Sequence, residues 1–217
     1  IDGYIVSSER LYTIYANNSH IAQPHSVISD GVDLRLFYPI QLSRFSAAQK
    51  RSLVIGWAGN SQWGDSDIDH KGFHTIIEPT VRQLQQEGFS IELHVQDRNV
   101  THLSHDRMVD FYKQLDLYVC MSDAEGTPNP VLEAMACGVP VLSTDVGVVS
   151  TVMGPKQRSL LLFDRSIHGL KSMLQDIILN RDLLADISVE NQHSIRAFTW
   201  DNQTPKFLNF FSDIINL

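Results

Sequence analysis

Three observations predict an α/β fold, a doubly wound, Rossmann-like parallel sheet. Short apolar runs alternate with amphipathic stretches from about residue 52 to 181. The runs are continuous and mostly β-branched or aliphatic, as strands buried on both faces require. The intervening stretches repeat apolar residues one helical turn apart, and such alternation builds a parallel sheet through helical crossovers.

Residues 4–16 read as a strand and a helix, followed by a short strand from His25 to Ser29. Ser29-Asp30-Gly31-Val32-Asp33 is a turn, and residues 39–50 are polar and irregular, the composition of a linker. Leu53 to Ala58, Ile91 to Val95, Leu117 to Met121, Pro140 to Ser143 and Leu160 to Phe163 are the predicted strands. Helices are predicted where Ile77, Val81 and Leu84, then Met108, Phe111, Tyr112 and Leu115, share a face. Leu170, Met173, Leu174, Ile177 and Ile178 make the clearest apolar stripe. Thr204 and Pro205 can serve as N-cap and first residue of a last helix. That helix carries Phe207, Leu208, Phe211, Ile214 and Ile215, an apolar face in want of a partner.

At 217 residues and 43% hydrophobic composition, the chain can bury one core of ordinary domain size plus an appended piece. It opens on Ile1 rather than Met, which predicts a fragment or processed product. No run of about 18 apolar residues is present to span a membrane. The net charge of −8 argues against nucleic acid as a partner. Cys120 and Cys137 lack CxxC or zinc-like spacing and sit in apolar stretches, so reduced buried thiols and a cytosolic compartment are expected.

The chemistry gathers in Glu125-Gly126-Thr127-Pro128-Asn129-Pro130-Val131 and the helix beyond it, which contains Glu133. A buried strand ends near Met121, Asn129 can cap a helix opening on Pro130, and Gly138 can close it. Ligands of open α/β sheets bind beyond the carboxyl ends of the strands, and a helix N-terminus there suits a phosphate. Glu125 and Glu133 would bracket that anion, each able to accept two hydroxyl hydrogen bonds from a sugar or ribose.

This run closely resembles the E-x7-E region of the family-four retaining glycosyltransferases, enzymes of the GT-B fold. The similarity continues through Thr144-Asp145-Val146-Gly147. Asp30-Gly31-Val32-Asp33 with Phe37 and Pro39 resembles the family's interdomain segment, and Lys71-Gly72 resembles its phosphate-binding lysine. The resemblance implies the C-terminal half of such an enzyme, with residues 1–38 a remnant of the N-terminal acceptor domain and the interdomain segment. Residues 39–50 would be a linker and 51–200 the nucleotide-sugar-binding domain. Residues 201–217 would be a helix packing back on the N-terminal domain.

On the same resemblance, Glu125 faces the donor sugar near the reacting carbon and Lys71 pairs with the diphosphate, the two catalytic assignments. Glu133 holds the ribose, Gly59 and Asn60 end the first strand of the donor site, Gly126 belongs to the donor-binding loop, and backbone amides from Thr127 to Val131 hold diphosphate and sugar. The implied reaction moves a hexose from a nucleotide diphosphate sugar to a carbohydrate or lipid-linked acceptor, with retained configuration, in cell-surface polysaccharide or glycoconjugate synthesis. No cofactor and no metal are implied. The acceptor would bind through the missing N-terminal domain, so the isolated chain is expected to turn over little. The complete protein would be cytoplasmic, with peripheral association at the inner face of the membrane compatible with its acceptor.

Two departures stand out. Gly59-Asn60 replaces the family's usual Gly-Arg, so a second cation for the diphosphate is missing or comes from elsewhere. Gly147-Val148-Val149-Ser150-Thr151 lacks the usual glycine pair and following glutamate. A degenerate nucleotide-sugar-binding module therefore remains an alternative, as does another GT-B enzyme such as a sugar-nucleotide epimerase or a phosphorylase. A dehydrogenase is disfavoured, because Gly56-x-x-Gly59 lacks the rest of the dinucleotide fingerprint. Asp65-x-Asp67-x-Asp69 reads as solvated loop, His70 as loop and His74 as helix surface. Base contacts are expected from the loops after Val95 and around His102 to His105.

Overall fold

The computed structural model describes residues 3–39, 43–46, 51–64, 68–101 and 103–215. β1 (Ile5–Val6) runs parallel to β2 (Ser26–Val27), joined through α1 (Glu9–Ala16). Ser8 caps α1 by accepting a hydrogen bond from the Leu11 N–H. Within the stretch read as an irregular linker, α2 (Ser43–Ser46) is helical and its Phe45 is buried. One aromatic anchor thus overrides a polar composition there; residues 40–42 and 47–50 lie outside the described residues.

The main sheet contains β3 (Leu53–Gly59), β4 (Ile91–Asp97), β5 (Leu117–Cys120), β6 (Val141–Thr144) and β7 (Leu161–Leu162). Its order is β4-β3-β5-β6-β7, with every neighbouring pair parallel. Between the strands lie α3 (Glu78–Gln86), α4 (Met108–Tyr112), α5 (Asn129–Ala136) and α6 (Val149–Val152). After β7 come α7 (Ile167–Leu179), α8 (Asp182–Ser194) and α9 (Trp200–Ile215).

Alternation along each strand sorts the core to two faces. Leu53, Ile55, Trp57, Leu117 and Val119 join side chains of α3, α7 and α8 on one face. Ala58, Tyr118 and Cys120 join α4 and α5 on the other. Both cysteines are free and buried. β7 ends before Phe163, which is 87% exposed, so the predicted strand is shorter than its apolar run.

The chain leaves β3 for β4 on one side and then crosses back to β5 on the other. That reversal makes a switch point between the carboxyl ends of β3 and β5, the usual ligand crevice of such sheets. α5 rises from the loop after β5. It closes as predicted at Gly138, whose φ of +73° lets its N–H reach the Met135 carbonyl at 2.9 Å and that of Val139 reach Ala134 at 2.8 Å.

The last helix starts earlier than Thr204-Pro205, and Pro205 lies inside it. The cause is tertiary. Val32 bridges Thr199, with Val32 N–H donating to the Phe198 carbonyl at 2.9 Å, which holds the chain extended up to Thr199. Gly31 permits the approach, since a Cβ there would lie 2.5 Å from the Trp200 nitrogen. Thr199 Oγ1 then accepts from the Asn202 N–H at 3.3 Å, taking the capping role assigned to Thr204. Phe210 of α9 meets His25 edge-on at 6.1 Å, while Leu208, Phe211 and Ile215 remain exposed.

Candidate functional site

A cleft of about 380 Å³ opens at the switch point, within the range of about 300–1,000 Å³ usual for small-molecule sites. Gly59 and Asn60 from the end of β3, Lys71, and Glu125 and Thr127 to Pro130 line it together. A second cavity adjoins it, lined by Glu133, His105, Leu103, Thr101 and Gln96. Ala58, Gly59, Arg98, Asn129 and Pro130 line both. Apart from Gly126 and Val131, which line neither, the sequence-predicted residues divide between two chambers that share a wall at the start of α5.

Lys71 is held by its backbone. Gly72 turns with φ +66°, and a side chain there would press the Met121 carbonyl at 2.6 Å. Arg165 donates to the Met121 carbonyl at 2.8 Å and the Asp69 carbonyl at 2.9 Å, tying the lysine loop to the end of β5. His70 Nδ1 lies 3.1 Å from Asp123, and Asp69 accepts from the Thr75 N–H at 2.8 Å. Burial opposes ionisation of Asp69, but hydrogen bonds from Thr75 and Phe73 hold it below its ordinary range. So fixed, the Lys71 ammonium sits 2.6 Å from Glu125 Oε1 and 5.1 Å from the Trp63 ring centre. Ser122 also donates to Glu125 Oε1, at 2.7 Å.

Asn129 does not cap α5 with its side chain. Its Nδ2 donates instead to Asp30 Oδ2 at 3.3 Å, while Thr127 Oγ1 accepts from the Asp30 N–H at 3.1 Å. The amide cradle expected from Thr127 to Val131 is also narrower. Pro128 and Pro130 have no N–H, and fully buried Val131 gives its own to the Pro128 carbonyl at 2.8 Å. Gly126 lies outside the lining, wedged against Ser7 and Gly147.

Glu133 is buried on α5, with the Tyr112 hydroxyl donating to Oε2 at 2.7 Å and His105 Nε2 3.1 Å from Oε1. Burial raises its carboxyl above the ordinary range despite those hydrogen bonds. Burial likewise raises Tyr112 well above its usual value. The carboxylate keeps lone pairs toward the second cavity for further hydroxyl donors.

Sequence reasoning missed Arg98, Trp63, Arg165 and the Tyr112–His105 clamp. Asn60 Oδ1 is already engaged, accepting from the Gln62 N–H at 2.9 Å and Asn99 Nδ2 at 2.6 Å. Asp69 is drawn into the lysine loop, whereas Asp65, Asp67 and His102 lie outside the described residues. Among the described residues, no three His, Cys, Asp or Glu side chains gather as a metal-binding group.

The family of "Glycosyl transferases group 1" matches residues 77–193, more than half of the chain. Over 106 residues the chain is 26% identical to a D-inositol 3-phosphate glycosyltransferase of Gordonia bronchialis, covering 49% of this chain and 23% of that protein. Over 92 residues it is 36% identical to the putative teichuronic acid biosynthesis glycosyltransferase TuaC of Bacillus subtilis, covering 42% and 21%. The matches thus span less than a quarter of these relatives' lengths. HepE of Anabaena, solved in complex with UDP and glucose, superposes with a TM-score of 0.69 at 16% identity, over 97% of this chain and 63% of that one.

Proposed function

The chain belongs to the glycosyl transferases group 1 family, and we propose that it is the donor-binding half of a retaining hexosyltransferase of GT-B fold. The observation that carries this reading is the pair of chambers meeting over the start of α5, Lys71 and Glu125 in one and Glu133 in the other. A nucleoside diphosphate sugar fits that division. Its ribose hydroxyls reach Glu133, its diphosphate lies along the shared wall, and its sugar stands beside Glu125. Trp63, 53% exposed in the same cleft, offers an aromatic face to the sugar.

Breaking the sugar–phosphate bond leaves negative charge on the departing nucleoside diphosphate. The Lys71 ammonium, transferred from Glu125 to phosphate, stabilises that charge as it forms, and the N-terminal dipole of α5 adds to it. These groups neutralise the leaving group without a metal in this reading. The acceptor, a carbohydrate or lipid-linked glycan, binds through a further domain, so the chain alone binds donor but transfers little. TuaC, by its name, serves teichuronic acid biosynthesis, which supports a cell-envelope polysaccharide or glycoconjugate as product. Cytoplasmic placement at the inner membrane face belongs to the same proposal; no described helix is long and apolar enough to cross a membrane.

The neutral Asn60 favours a second reading, a binding module that has lost transfer. Calorimetric titration with UDP, GDP and ADP tests the shared part. Saturable binding of one of them at one site per chain is expected, and a folded chain that binds none contradicts the proposal. Transfer by the complete protein, lost in Glu125→Ala, separates enzyme from module.

A further inference from the structure

β3 and β4 end side by side, with Gly59 opposite Asp97, and the Arg98 N–H donates to the Gly59 carbonyl at 2.9 Å. Asp97 is buried and braces both strand ends. It accepts from Ser61 Oγ at 2.5 Å and from the Asn99 N–H at 3.0 Å. Arg98 therefore leaves a fixed backbone at the mouth of the switch point. Its exposed side chain lines both chambers, as do Gly59, Asn129 and Pro130. Among the described residues no carboxylate lies within ion-pair distance of it, whereas Lys71 in the same cleft is already held by Glu125. Asn60, the neighbouring strand-end residue, is neutral and has its amide oxygen occupied.

We infer that Arg98 is the second cation of the diphosphate subsite, binding the phosphates from the wall shared by the two chambers, in the cleft that Lys71 also lines. The inference rests on the donor-site reading above and adds a residue to it. The guanidinium is always charged and its planar fork can engage two phosphate oxygens together. An anion on the shared wall would then lie between Arg98, Lys71 and the start of α5, with nucleoside on one side and sugar on the other. Arg98 already favours the charged form of Glu133 across the second chamber, but no carboxylate among the described residues holds it in an ion pair that phosphate would have to break.

The test compares the chain with Arg98→Gln and Arg98→Lys, titrating UDP, GDP and ADP alongside uridine, guanosine and adenosine. For the diphosphate that binds, Arg98→Gln should weaken affinity by about tenfold or more, as the loss of a charged hydrogen-bond donor requires. The matching nucleoside should change by less than about twofold, and Arg98→Lys, which keeps the charge but not the fork, should recover only part of the diphosphate affinity. Unchanged diphosphate affinity in Arg98→Gln, or an equal loss for the nucleoside, overturns the role of Arg98 and leaves the donor site standing. No binding of any diphosphate by the unaltered chain overturns the donor site and this inference with it. Thermal melting of Arg98→Gln should match that of the unaltered chain, since the side chain is exposed.

Discussion

Removing either partner of the Lys71–Glu125 pair should destabilise the chain, and removing both should cost less than the sum. The two side chains are 19% and 15% exposed and their charged atoms lie 2.6 Å apart. Fully exposed pairs contribute about 0.2–1 kcal/mol, whereas breaking a buried pair costs about 3–5 kcal/mol. A pair mostly screened from water but facing an open cleft falls between, at about 1–2 kcal/mol of coupling. Glu125 retains Ser122 and Lys71 retains Trp63 in the single variants, which keeps the figure toward the lower end. Urea denaturation of Lys71→Ala, Glu125→Ala and the double variant gives the coupling directly, and each kcal/mol should move the melting midpoint by about 2–4 °C. The same pair competes with phosphate, so Glu125→Gln should bind the nucleoside diphosphate more tightly and Lys71→Ala more weakly. A coupling below about 0.3 kcal/mol, the noise of additivity, would refute the pairing energetics. Weaker diphosphate binding in Glu125→Gln would refute the competition.

Gly147 has φ +55°, and a Cβ there would collide with the Gly126 carbonyl oxygen; Gly147→Ala should cost about 1–3 kcal/mol, and an unchanged melting midpoint would contradict the contact. Glu133 titrates above its ordinary 4.5 when folded, so its stabilising contribution is fully present below that value and is lost as pH rises through the raised folded value. The stability of the unaltered chain relative to Glu133→Gln should fall across that window, and a flat difference would argue that burial does not govern the carboxyl. Burial pushes the Cys137 thiol up to about 12 and also raises Cys120. A thiol reagent at pH 8 should therefore leave both untouched in the native chain and label both after denaturation; rapid native labelling would contradict their burial.

The sheet was legible because buried parallel strands write themselves as unbroken apolar runs, and Val119, Val141 and Leu142 are fully buried. The eight-residue spacing of Glu125 and Glu133 was legible because a loop and one helix carry both. Arg98 was not, since only the register of β3 against β4 brings it beside Gly59, about forty positions earlier. An arginine directly after a buried strand-end aspartate was the one local signal that could have drawn notice. Local capping chemistry misled at Thr204 and Asn129 alike. In both cases the segment at Asp30 to Val32 decided the outcome, by bridging Thr199 and by drawing away the Asn129 side chain. Such contacts join residues about a hundred or more positions apart, and no local pattern announces them.

The most direct test is a crystal structure of the chain with whichever of UDP, GDP or ADP it binds. The diphosphate is expected on the wall shared by the two chambers, within hydrogen-bonding distance of Lys71 and Arg98, with the ribose hydroxyls on Glu133. A nucleotide seated elsewhere, or one whose ribose lies beside Glu125 and whose phosphates avoid α5, would contradict it.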